Sequence, residues 1–234
     1  MIDYNIIYEF LEETKNNNRL DWLINLIENN FKDVEIDVFH NDITRKTFVN
    51  IYLVGNSKDF IVAHHDVINP LYCANDNSAS IINCLIYKQN NPTVNVALLD
   101  GEEPPYFGAG SKRLSKLIND GKFGEIENVF NLELTGVGRN ICISKHELNS
   151  TNKIIKESNI KIEEISTPFS DADIFILNKI NSECIFLLPD NESGGINKSY
   201  ISYCHTEKDN ESIINVDDMK NFVTNILPEY IERG

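Results

Sequence analysis

The chain has 234 residues, with 36 Asp or Glu against 21 Lys or Arg, a formal net charge of −15. Hydrophobic residues make up 41% and charged residues 24%, a mix that fits a soluble globular chain and excludes a disordered one. The acidic surplus argues against nucleic acid or an anionic membrane surface as partner, because both need clustered cations.

The opening residues carry Asp3, Glu9, Glu12 and Glu13, whereas a secretory leader needs a basic start and an unbroken apolar run. No window holds the roughly 18 apolar residues of a membrane span. The five cysteines are odd in number and form no Cys-x-x-Cys pair. They read as reduced thiols in a cytoplasmic protein.

Apolar spacing predicts helices over 2–15 and 19–30. The alternating segment 34–39 and the segment 47–55 read as two strands of a hairpin turning at Asn41-Asp42. Segment 59–66 (DFIVAHHD) is more fully apolar and belongs inside a sheet. A buried helix over 80–87, a strand over 93–100, a helix over 108–120 and a strand over 127–136 follow. A short strand is expected at 141–144, then helices at 149–159 and 171–178, a strand at 182–190 and a closing helix at 216–232. Strands alternating with helices predict an α/β fold, with a mixed sheet covered on both faces. Nothing resembles a linker, so 1–234 is expected to be a single catalytic domain.

Acidic and imidazole residues gather at the ends of the predicted central strands, where open α/β sheets bind ligands. In AHHD, His64 and Asp66 fall on one face of an extended chain and His65 on the other. Asp66 is placed to take the second ring N–H of His64, as carboxylates do behind metal-bound histidines. A hydrogen-bonded surface cluster fits the same tripeptide. Asp76, in CANDNSAS, stands among small residues ahead of a helix, and a cap or turn accounts for it equally well. In DGEEPPYFGAGS the adjacent Glu102 and Glu103 repel each other unless a cation intervenes. One could then ligate a metal and the other act as general base; a solvated acidic turn is the alternative. Glu133 sits between Leu132 and Leu134 and needs a partner if it points inward. His205, in YCHTEKD, reads on its own as a surface histidine, as do His40 and His146.

Taken in order, AHHD, ANDN, DGEE, NLELTG and YCHT resemble the co-catalytic di-zinc aminopeptidase family, whose relatives include glutamate carboxypeptidase and glutaminyl cyclases. The likeness runs from about residue 60 to 210 and implies a three-layer α/β/α sandwich around a mixed, mostly parallel sheet. It implies two zinc ions, with manganese or cobalt as substitutes. By the resemblance, His64 and Glu133 hold one ion, Glu103 and His205 the other, and Asp76 bridges them. Glu102 is then general base and acid, Asp66 orients His64, and the peptide bond after Asp76 is expected to be cis. The implied activity is exopeptidase hydrolysis of the N-terminal bond of short peptides, by water activated between the ions. The acidic surface would disfavour acidic substrates.

The chain departs from the family in places. Glu133 stands where many relatives have Asp, and Ser170-Asp171-Ala172 where many have Ser-Asp-His. Cys204 stands where some have a carbonyl-binding Tyr, leaving Tyr200 and Tyr203 as the nearby phenols. Loop 189–197 is expected to border the specificity pocket. AHHDVINP is also similar to a carboxypeptidase-type relative with an inserted lid domain, but predicted elements already fill the interval from Glu133 to His205. Two other functions stand beside aminopeptidase: a single-zinc, glutaminyl-cyclase-like acyltransferase and a non-catalytic binding module on the same fold. The sequence does not specify an oligomeric state.

Overall fold

The structure, a computed structural model, describes residues 1–42, 44–144 and 162–231. The helix expected at 149–159 and the surface position of His146 lie outside the described residues. Two helices, α1 (Ile6–Lys15) and α2 (Arg19–Asn30), open the fold. The hairpin follows as β1 (Val34–Asn41) and β2 (Lys46–Leu53), with Val34 opposite Leu53.

Next come β3 (Asp59–His64), α3 (Ala79–Asn90), β4 (Asn95–Leu99), α4 (Ala109–Asn119) and β5 (Asn128–Glu133). The second half adds β6 (Asn140–Ser144), β7 (Ile162–Ile165), α5 (Asp171–Leu177) and β8 (Asn181–Leu188). The last elements are α6 (Val216–Asn221) and α7 (Leu227–Ile231). No helix among the described residues is long and apolar enough to cross a membrane.

Eight strands form one sheet in the order β1-β2-β4-β3-β5-β8-β6-β7. β4, β3, β5 and β8 run parallel in its centre, with antiparallel pairing at β1/β2, β2/β4 and β6/β8. The mixed, mostly parallel sheet is as expected.

Alternation along β3 separates the two faces. Ile61 and Ala63 pack with α1, α2, α3 and the C-terminal helices, whereas Phe60 and Val62 pack with α4 and α5. Both faces are therefore covered, and β4 and β5 are buried along their whole length, as parallel strands in such a sheet are. The chain leaves β3 on one side to form β4, then returns past it to form β5. That reversal opens a crevice at the carboxyl end of β3, the usual ligand position in such sheets.

Three local differences from expectation have physical causes. β7 (IEEI) shows no clean alternation because it lies at the sheet edge, with only Ile165 buried. β5 stops at Glu133 because Leu134 turns into a left-handed conformation at φ 53°. The C-terminal helix widens into a π turn over Phe222–Ile226. Pro228 follows directly; it has no N–H to give the preceding turn, and its ring crowds the carbonyl there.

Candidate metal centre

Three strand ends and two loops build the site. His64 ends β3, only 1% exposed. Its Nδ1 lies 3.2 Å from the Asp66 carbonyl and 3.4 Å from the Asp66 carboxylate. A proton held there leaves Nε2 with its lone pair facing the crevice. The same carboxylate accepts the amide N–H of Glu102 at 3.2 Å and of Glu103 at 3.0 Å, and so also fixes the turn after β4. α4 presses close behind that turn because Gly110 lacks a side chain; a Cβ there would come within 2.6 Å of the Asp100 carbonyl oxygen.

Asp76 sits in a π turn over Ala74–Ser78, and its peptide bond to Asn77 is cis, as the resemblance implied. Asn77 ties the turn to β5 by donating to the Leu132 carbonyl at 2.8 Å. Asp209 holds it from the other side, accepting the amide N–H groups of Asn75 at 2.6 Å and Asp76 at 3.1 Å. The turn reading of ANDN is therefore correct, and its carboxylate also faces the site.

The Asp76 carboxylate stands between the two histidines. One oxygen is 3.2 Å from His64 Nε2 and the other 3.2 Å from His205 Nε2. Glu133 lies 3.4 Å from His64 Nε2, and Glu103 lies 2.9 Å from His205 Nε2. Two donor triads result, His64-Asp76-Glu133 and Asp76-Glu103-His205, each with ligand atoms within 4.8 Å of one another. A third grouping joins His64, Glu102 and Glu103. His64, Asp76, Glu102, Glu103, Glu133 and His205 are thus brought together, with Asp66 behind His64. Leu134, beside a donor, and His205, itself a donor, both take left-handed φ values, 53° and 62°. Backbone outliers of this kind cluster at working sites.

The charges report on crowding. Burial opposes a charge on His64, but Glu133, Asp66 and Asp76 outweigh it and raise its pKa well above the ordinary value. Asp76 and Glu103 raise His205 to about 10. Burial works against ionised Asp76, yet His205 and His64 hold it below the usual carboxylate range. Burial, reinforced by Glu133, Asp171 and Glu103 against the pull of His64, pushes Glu102 up to about 10. Asp171 rises to about 7 and Asp209 to about 6, chiefly through burial. Both Asp171 oxygens are buried without a hydrogen-bond partner. Carboxyl groups this concentrated cannot all ionise together, and cations placed among them would relieve the repulsion.

These shifts fix a sign for the chelator-stripped protein. Unfolded carboxyl groups release protons near pH 4. The folded chain holds those of Asp209, Asp171 and Glu102 to about 6, 7 and 10, and that of His205 to about 10. The folded state binds more protons across this window, so its stability should fall as pH rises from about 5 to 9. Asp76 acts oppositely and only at acid pH, below its ordinary range. Melting temperature against pH should show this slope without metal, and zinc should flatten it.

A cleft of about 330 Å³ opens onto the donors. Pro104, Phe107, Leu134, Pro168, Phe169, Phe186 and Ile201 give it apolar walls, and among the described residues no Lys or Arg lines it. Tyr200 and Tyr203 pack on each other at 4.7 Å and do not line it, and neither does loop 189–197. Residues 167–170 and Pro104 and Phe107 of the turn after β4 line it instead. Ala172 is fully buried in the core beneath, so nothing replaces the histidine many relatives carry there. His65 turns away to within 2.7 Å of the Val49 carbonyl. The five cysteines are free, and of these Cys204 borders the cleft.

Sequence reasoning missed Asp209, although it stands in the YCHTEKD segment, because an Asp in a polar loop has no distinguishing local pattern.

Residues 53–229 match the model of peptidase family M28. The chain belongs to that family. Among solved structures, the LapA aminopeptidase of Legionella pneumophila superposes on this M28 chain with a TM-score of 0.71 at 14% identity, over 99% of this chain and 72% of that one. A glutaminyl cyclase of Tannerella forsythia gives 0.71 at 12% identity, over 99% of both chains. A Zn-dependent exopeptidase of Parabacteroides distasonis gives 0.67 at 15%, over 100% and 99%. At these identities the likeness is one of fold. No curated protein matches the chain in sequence.

Proposed function

We propose that this M28 chain is a zinc-dependent aminopeptidase that removes the N-terminal residue of short peptides, acting as a single catalytic domain. The observation that carries the reading is the placement of Asp76, one carboxylate oxygen toward each of two histidines, each histidine backed by a glutamate. Imidazole nitrogen and carboxylate oxygen are the donors zinc takes, and catalytic zinc sites use three such protein donors with water or substrate in the fourth position. His64, Asp76 and Glu133 would hold one ion, and Asp76, Glu103 and His205 the other. Zinc so held supplies Lewis acidity to the scissile carbonyl and eases deprotonation of the attacking water.

The chain's own groups do the rest. Glu102, half-buried at the cleft floor and anchored through its amide by Asp66, takes the proton from water and delivers it to the leaving amine. Its raised pKa in the metal-free site falls toward the working range once cations stand beside it. Asp66 keeps the His64 ring in the tautomer that offers Nε2. The apolar walls receive an apolar side chain. The carboxylates of Asp76, Glu102, Glu103 and Glu133 on the cleft wall favour a substrate bound by its free amine over one bound by a terminal carboxylate.

A second reading stands beside this one, because the Tannerella forsythia glutaminyl cyclase matches this chain end to end, as the Parabacteroides distasonis exopeptidase also does. The alternative is a cyclase-like acyltransferase with one zinc.

The two readings separate on zinc per chain, measured by elemental analysis on protein purified without chelators or tag metal. A value near two with hydrolysis of leucyl amides, and little of N-acetylleucyl or glutamyl ones, is the expected result. A value near one, with ammonia released from N-terminal glutaminyl peptides, would replace aminopeptidase by cyclase. Equal rates on free and N-acetylated substrates would remove the exopeptidase reading.

A further inference from the structure

Arg19, the first residue of α2, lies outside the residues that match family M28. Its side chain is buried, with 8% of the residue exposed. It meets neutral acceptors: Nε donates to the His65 carbonyl at 2.6 Å, and one terminal nitrogen to Ser78 Oγ at 2.8 Å and Thr14 Oγ1 at 3.0 Å. The other terminal nitrogen is buried without a hydrogen-bond partner. The Phe10 ring covers the guanidinium, 4.3 Å from its carbon to the centroid. Burial works against the charge, and the Asp66 and Asp76 carboxylates work for it; burial keeps the Cys73 thiol beside it protonated. Desolvating a guanidinium is costly unless negative charge offsets it, and here the two carboxylates lie on the metal-site side.

The acceptors on that side are informative. His65 stands between His64 and Asp66, and Ser78 closes the turn that carries Asp76. One planar fork therefore spans the strand end bearing one donor and the turn bearing another. We infer that Arg19 is a positioning residue of the metal centre: it sets the spacing between His64 and Asp76 and keeps a fixed positive charge behind the Asp66 and Asp76 carboxylates. The N-terminal helices are then part of the site rather than a cover for the sheet. The inference rests on the zinc reading above.

The test is zinc affinity by chelator competition, with the melting temperature of the metal-free protein recorded beside it. Lysine keeps the charge but cannot hold two acceptors in one plane. Arg19→Lys and Arg19→Gln should weaken zinc binding about 10- to 100-fold, the usual effect of losing an outer support. Ser78→Ala should weaken it as well. Thr14→Val, which removes the contact facing away from the site, should lower the melting temperature and leave zinc affinity unmoved.

If Arg19→Lys binds zinc as tightly as the wild type, the inference is overturned. If the Arg19 variants do not fold, Ser78→Ala against Thr14→Val decides: equal zinc affinities in these two make Arg19 merely structural. Wild-type protein that binds no zinc would overturn the zinc reading itself, and this inference with it. Tight zinc in the wild type with no Arg19 effect would sink the inference alone.

Discussion

Asp76→Ala should leave the protein without stably bound zinc and bring hydrolysis down to background. Its two oxygens each stand 3.2 Å from a different histidine, so both donor triads lose a member at once. The backbone should survive the change. Asp209 grips the amides of Asn75 and Asp76, not the Asp76 carboxylate, and Asn77 still reaches the Leu132 carbonyl. A folded, metal-free variant is therefore the expected product, checked by circular dichroism and elemental analysis. In it, His64 and His205 should titrate closer to their ordinary range, because both are held up in part by Asp76. NMR titration of the two rings reads this directly. Two zinc ions in Asp76→Ala would end the bridging assignment.

Glu102→Gln should separate chemistry from binding. The amide has the shape of the acid but no basic carboxylate oxygen to take a proton from water, and a general base is worth about 10²- to 10⁴-fold in rate. The turnover number is expected to fall by about 10³-fold, with KM nearly unchanged and zinc retained. Zinc stays because Glu103, not Glu102, faces His205. The amide N–H of residue 102 still reaches Asp66, so the turn should keep its place. Undiminished turnover would take the proton shuttle away from Glu102. Loss of zinc would make Glu102 a ligand, as the His64-Glu102-Glu103 grouping allows.

Much of this was readable because the fold repeats simple signals. The central strands are continuous apolar runs, and each ends in chemistry: His64 after FIVA, Glu102 and Glu103 after VALL, Glu133 after VFNL. Strand length and burial alone carry those residues to one edge of the sheet. Asp76 and His205 were harder to place. Each sits in a loop where an Asp or a His has ordinary explanations, and only the ordered set gave them meaning. What stayed hidden was whatever depends on distant partners. Asp209 acts on amides more than 130 residues away, and Arg19 acts on a carbonyl and a hydroxyl 46 and 59 residues on. The cleft walls were hidden for the same reason. Loop 189–197 is expected to border the pocket, yet residues 167–170, leading into α5, line the cleft.

The double duty of Asp66 limits how such an enzyme can diverge. One carboxylate supports the ring that would hold metal and the backbone that carries the proton shuttle. On the proposed roles, a change at Asp66 would alter ion affinity and the placement of Glu102 together, so few single changes would be viable there. Phe107 and Phe169 are under no such constraint: each is 52% exposed and borders the cleft without supporting a donor. New substrate preferences are therefore most accessible through those rim residues, while the inner carboxylates stay as they are.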